Sequence, residues 1–172
     1  MNQVTRMRAN AFLLGILIAG QSYAQLVGLD PDWKEQETLP PATFQTDRLI
    51  PIEMPRYLTV KIGLDPDTLT ISDDGIVRYV VVAMSDGASW TAMYEGIWCR
   101  TGQVKVYARF GSDSQWKTVE RPQWMALSAN QPSTHALALA RQGVCDGRSA
   151  AESSPAAIIR KLRQPAHAGF QR

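Results

Sequence analysis

Two histidines, two cysteines and no apolar run longer than ten residues leave this 172-residue chain without the raw material for several kinds of chemistry. His135 and His167 show no spacing that resembles a ligand set, which argues against a zinc-type centre. Asp65, Asp67, Asp73 and Asp74 cluster but lack the calcium-loop pattern, and aspartates bonded to nearby turn backbone account for them. No cofactor is expected. Gly87-Ala-Ser-Trp-Thr91 lacks the closing glycine of a nucleophile elbow. Cys99 and Cys145 are too far apart for a Cys-x-x-Cys redox turn.

The ten-residue apolar run, Ala11 to Gly20, is about half of what a membrane-spanning helix needs. It has the flanks of a secretory signal instead. Arg6 and Arg8 precede it, and Ser22-Tyr23-Ala24 places small residues at the two positions a signal peptidase must fit. Residues 1–24 therefore read as a cleaved signal peptide, and the expected location is the periplasm. No cysteine stands near the cleavage point to carry a lipid anchor. Without Arg6 and Arg8, 16 basic residues face 16 acidic ones, so no global charge calls for nucleic acid. Export would deliver Cys99 and Cys145 to an oxidising compartment, where a bridge between them closes a 46-residue loop. Chain entropy puts such a bridge at about 4 kcal/mol. Two buried free thiols are the alternative.

Residues 25–56 read as an extended lead-in, because Pro31, Pro40, Pro41, Pro51 and Pro55 interrupt any helix. Leu49-Ile50 could pin it to the domain. A compact β-rich domain is expected over 57–146. Arg56–Ile62 and Thr68–Ile71 read as two short strands around an Asp65-Pro-Asp67 turn. Ile76–Met84 is rich in β-branched residues, and Asp86-Gly87 is a strong hairpin signal into a strand over 89–100. Thr101-Gly102 turns into Val104–Phe110, and Trp116–Val119 can add a further strand.

Alternation along the strand ending at Cys99 puts Trp90, Ala92, Tyr94, Gly96 and Trp98 on one face. Thr91, Met93, Glu95, Ile97 and Cys99 lie on the other. Both faces are largely apolar, which makes this a central strand covered on both sides. In the next strand Val104, Val106, Ala108 and Phe110 alternate with Lys105, Tyr107 and Arg109, which predicts one wet face. Ser133 or Thr134 can cap a helix over Ala136–Gln142 that Gly143 ends, two residues before Cys145. A bond to Cys99 would clamp that helix on the Met93/Ile97 face. The expected fold is α+β: a disulfide-tied antiparallel meander with a helix on one face. Residues 147–172 carry five basic residues and one acidic, and read as a basic, mostly disordered tail.

Asp74-Gly-Ile-Val-Arg-Tyr-Val-Val-Val, Tyr94-Glu-Gly-Ile-Trp-Cys99, Gly102-Gln-Val-Lys-Val-Tyr-Ala108 and a late helix closing on Cys145 resemble the uncharacterised envelope family named after cryptic neisserial protein one. The resemblance covers roughly Trp33 to Cys145 and implies a periplasmic protein of proteobacterial type. Many relatives look like lipoproteins; this chain departs from them in lacking the lipid-bearing cysteine. The resemblance supplies no catalytic residues.

Two features remain as candidates. Glu95 lies between Met93 and Ile97 on a buried face, where a carboxyl can act as a general acid or be paired with Arg78 or Arg141. Trp90, Tyr94 and Trp98 form an aromatic stripe that could stack a sugar or a partner peptide, or could be core beneath the lead-in. The leading reading is a non-enzymatic binding or assembly module of the envelope. Its stripe and basic tail would meet an envelope protein, peptidoglycan or an anionic lipid surface. The alternative is a small periplasmic hydrolase using Glu95 or a Ser/His pair that recruits His135.

Overall fold

Strand formation follows the β-branched and aromatic residues closely. In the computed structural model, which describes residues 31–55, 58–85, 89–130 and 134–164, they build a seven-stranded antiparallel sheet. The signal segment, the Asp86-Gly87 turn, Ser133 and His167 lie outside the described residues. Six strands run as a meander: β1 (Ile50–Pro51), β2 (Lys61–Ile71), β3 (Val77–Met84), β4 (Trp90–Trp98), β5 (Gln103–Phe110) and β6 (Trp116–Thr118). The seventh, β7 (Met125–Ala126), pairs with the start of β5, while β6 pairs with its end. Gly75 and Gly102 sit at φ of +78° and +65° in the connecting turns, a region glycine enters without strain.

β4 lies between β3 and β5 and is covered on both faces, as its alternation requires. On the first face Val77, Tyr79, Val81 and Ile97 pack under α1 (Thr134–Leu139), whose coil widens from Ala140 until Gly143, at φ +147°, breaks it. Cys145 then bonds Cys99, with their Cα atoms 5.6 Å apart, clamping the helix to the sheet. The α+β expectation holds. On the second face Val80, Val82, Ala92, Tyr94, Tyr107 and Ala108 form a separate cluster joined by Phe44, Leu49 and Trp116.

Three local readings differ from the structure. Asp65-Pro-Asp67 is no turn between two strands but an irregularity inside one eleven-residue strand, β2. The Asp65 carboxylate accepts from the backbone N–H groups of Gln45 and Asp67, and the Thr68 hydroxyl donates to the Asp65 carbonyl, so the disrupted ladder keeps its partners. In β5 a bulge at Tyr107 breaks the alternation, so Lys105, Tyr107 and Ala108 share the second face. Lys105 is 8% exposed, and the wet face is absent there. Third, the chain after 147 is not an irregular tail as far as it is described. β8 (Cys145–Asp146) and β9 (Ser149–Ala150) form a small hairpin that leads to α2 (Pro155–Arg163).

The start of α2 is fixed by its cap. The Ser154 hydroxyl accepts from the Ala157 N–H, and Pro155 occupies the first turn. Ile158 and Leu162 enter the first-face core at 0% and 3% exposure, four residues apart on one side of the helix. The folded unit accordingly runs from Lys34 onward rather than from residue 57 to 146. Ile158→Ala should cost about 2–5 kcal/mol of stability in a denaturant melt. Truncation after Arg148 should lower the melting temperature by far more than loss of a loose tail could.

Candidate functional site

Polar side chains are buried on both faces of the sheet, and each face gathers one network. On the helix side the centre is Glu95. It stands directly opposite Tyr79 in the β3–β4 ladder, and α1 brings His135 over it. His135 Nε2 is 2.9 Å from Glu95 Oε2, and the Tyr79 hydroxyl donates to the same oxygen at 3.3 Å. Glu95 Oε1 has no hydrogen-bond partner among the described residues. Glu95 is fully buried and His135 is 5% exposed.

The pairing expected for Glu95 is therefore corrected. Arg78 projects from the other side of β3 and pairs with Asp74, and Arg141 is exposed. Glu95 and His135, weighed separately in the sequence, meet in one pair. Ser89 lies six residues up β4 from Glu95, roughly 20 Å away by strand rise, and cannot complete a nucleophilic set with it.

Burial by itself would lower the His135 pKa. The charge and hydrogen bond of Glu95 outweigh burial and hold it above the ordinary 6.5, with Arg109 opposing. Burial, and then Glu95, push the Tyr79 phenol well above its usual value, so it stays a neutral donor. This arrangement can hold a proton between helix and sheet. Among the described residues it is closed off, with Glu95 fully buried and His135 nearly so.

On the second face the lead-in, residues 34–49, lies across the sheet as a strap. Its Glu35 carboxylate is taken by three donors: Lys105 Nζ at 2.5 Å and Trp124 Nε1 at 3.2 Å on one oxygen, and the Tyr107 hydroxyl at 2.9 Å on the other. One residue on, the Gln36 N–H donates to Asp74 and the Gln36 carbonyl accepts from Arg78 Nη2. Arg78 and Asp74 are themselves joined at 2.6 Å with both side chains at or near zero exposure. Burial pushes the Asp74 pKa up, but Arg78 and the N–H groups of Gln36 and Ile76 bring it below its usual value, so the pair is ionic. Thr38 then shares a 2.8 Å hydrogen bond with the Tyr94 hydroxyl, and the Trp116 indole donates to the Pro41 carbonyl. Beside the strap runs an open groove of about 470 Å³, walled by Glu35, Thr38, Lys105, Tyr107, Val119 and Pro122.

The aromatic stripe lies largely under this strap. Tyr94 is 5% exposed beneath Thr38, Trp98 is 5% exposed against Trp124, and only Trp90, at 42%, opens to solvent. Trp90 stacks on Phe110 and meets the edge of Phe44. The space above Gly96 is filled by Tyr107: a Cβ there would stand 2.9 Å from that ring and 2.8 Å from Ile76. Sequence reasoning missed Glu35, Lys105, Tyr107 and Trp124. Their contacts span 70 to 89 residues, and no local pattern announces them.

Of the acidic cluster, Asp65 accepts from the backbone N–H groups of Gln45 and Asp67, Asp67 pairs with Arg48 and Asp74 with Arg78. Among the described residues no group of three or more His, Cys, Asp or Glu side chains could hold a metal ion. Nor is any described helix long and apolar enough to cross a membrane.

A group whose folded pKa is raised contributes its full stability below the unfolded value and loses it as pH climbs through the folded one. The His135–Glu95 pair should therefore make the fold weaken as pH rises above 6.5. Urea melts at roughly pH 6 and pH 9 should show this loss, and His135→Gln should flatten it.

No curated protein and no solved structure matches the chain. A family model does, over residues 29–163, an interval that takes in the strap, the whole sheet, the disulfide and α2. With most of its length covered, the chain belongs to the CNP1-like family, that of cryptic neisserial protein 1.

Proposed function

We propose that this protein is an exported, non-enzymatic binding or assembly module of the bacterial envelope, working in the periplasm through the strap side of its sheet. The observation that carries the reading is the seal over the Glu95–His135 pair. Glu95 has no exposed surface and His135 almost none, so the groups most able to do chemistry are committed to holding α1 on the sheet. The groove beside the strap, by contrast, is open and lined by mixed polar and apolar side chains, as binding clefts are. The leader-like residues 1–24 and the Cys99–Cys145 bridge, suited to an oxidising compartment, support the location. A partner protein, peptidoglycan or an anionic lipid surface are the classes of contact in view. Arg160, Lys161 and Arg163 on α2, which packs on the helix side, supply positive charge for the last on a second surface.

The hydrolase reading keeps one specific observation in its favour, the 2.9 Å Glu95–His135 contact, but it requires α1 to lift before anything can reach the pair. Expression of the full chain in a Gram-negative host, followed by osmotic-shock fractionation, should give a periplasmic product beginning at Gln25. Retention in the cytoplasm with an intact start would overturn the location. In that product Glu95→Gln should leave envelope crosslinking unchanged, whereas an enzyme relying on Glu95 would lose turnover.

A further inference from the structure

The strap does more than cover apolar surface; the way it is held has the form of peptide recognition. The polar contacts described for residues 35 to 38 use one carboxylate, one backbone N–H and C=O, and one hydroxyl, all groups that an extended peptide of the right sequence can present. A carboxylate enters a cradle of Lys105, Tyr107 and Trp124. The next residue's backbone N–H and carbonyl meet the Asp74–Arg78 pair. A hydroxyl three positions after the carboxylate meets Tyr94. Lys105 Nζ also lies 4.7 Å from the Trp124 ring centre and 5.6 Å from that of Tyr107, so two aromatic faces fix its position in addition to the ion pair.

Without Glu35 this cradle would be one ammonium and two neutral donors, a receptor for a carboxylate. Glu35 retains 23% of its side-chain exposure and Lys105 11%, and the 470 Å³ groove opens directly on both. A competing carboxylate can therefore reach the cradle before the strap has left it. Residues 33–40 belong to no strand, so lifting them breaks no ladder.

We propose that this face is a binding site for an extended peptide of a partner protein, one carrying a carboxylate followed three positions later by a hydroxyl, and that residues 35–38 are its resident occupant. This rests on the binding-module reading and names the partner chemistry for that same site. The tethered strap acts at millimolar effective concentration, so an external peptide must compete with it and gains when the tether's own contacts are weakened. The site is thereby held in reserve for a partner that matches the pattern.

The test uses the full mature chain and a fluorescent, end-blocked peptide with the sequence of residues 34–39, Lys-Glu-Gln-Glu-Thr-Leu. Anisotropy should show that Glu35→Ala/Thr38→Ala binds it about tenfold or more tightly than the wild type, because the resident contacts are gone. A peptide with Gln in place of the first Glu should lose that gain, and so should addition of Lys105→Met to the double variant. Equal binding of the Glu and Gln peptides, or no gain over the wild type, would overturn the proposal. The milder Glu35→Gln guards against an unfolded variant. If it and the double variant both lose a cooperative melt, Glu35 is a structural lock that no ligand replaces, and the proposal fails. A strap-exchanged dimer seen by light scattering would assign the site to a second copy and likewise overturn it. None of these outcomes depends on the cellular location or on the role of Glu95, so they leave the parent reading to its own test.

Discussion

A central strand that is apolar on both faces cannot stand in water on either, and β4 imposes that constraint on the rest of the molecule. Val80, Val82, Ala92 and Tyr94 look one way; Tyr79, Val81 and Ile97 look the other. Each side must be closed by chain that lies far from β4 in sequence, and the two closures use different chemistry. On the first face the cover is helical, drawn from the last third of the chain and tied by a covalent bond at Cys99, one residue beyond the end of β4. On the second the cover is an extended strap from the beginning of the folded unit, tied by hydrogen bonds and ion pairs at Glu35, Gln36 and Thr38. A helix satisfies its own backbone and needs only packing. An extended segment has unsatisfied N–H and C=O groups, and so the second face has to provide polar partners inside its apolar cluster.

That difference explains where the buried charges sit. Arg78 and Asp74 are sequestered together because they serve the strap's backbone, and Lys105 is nearly buried because Glu35 comes to it. Burying charges costs desolvation, which close pairing and additional hydrogen bonds offset. Glu95 is the exception in kind. It faces the helix cover, where packing alone would suffice, and its partners are titratable or weakly acidic groups rather than an arginine. The helix side is thus linked to pH through one histidine, while the strap side is linked to the chemistry of whatever carboxylate fills its cradle.

Much of the frame was legible before any coordinates. Ile76–Met84 carried an unmistakable strand composition, the two-sided apolar pattern of residues 90–99 announced a central strand, and Gly143 two residues before Cys145 announced a helix end at the bridge. These succeed because strand and helix periods are properties of neighbouring residues. The irregularities were not legible. The bulge at Tyr107 shifts Lys105, Tyr107 and Ala108 onto one face, against any strict period of two. Asp65-Pro-Asp67 has turn composition, yet Gln45 donates to the Asp65 carboxylate and Val80 to the Thr68 hydroxyl just beyond it, which keeps the segment inside a strand. α2 was not legible: a short run with two aliphatic positions reads as tail until a core exists for Ile158 and Leu162 to enter.

By itself, the sequence determined the run of strands from Ile76 to Trp116, the strand that lies at the centre, the cysteines available to bridge, and the scarcity of residues for metal or nucleophilic chemistry. All of these depend on residue type and on spacing within a few positions. Only the tertiary structure decided that Glu95 meets His135 rather than an arginine, and that Glu35 lies in a cradle built from β5 and Trp124. Those partners are separated by 40 to 89 residues, and what unites them is the need of two sheet faces for cover. The local pattern can state that need, but the packed chain decides which residues meet it.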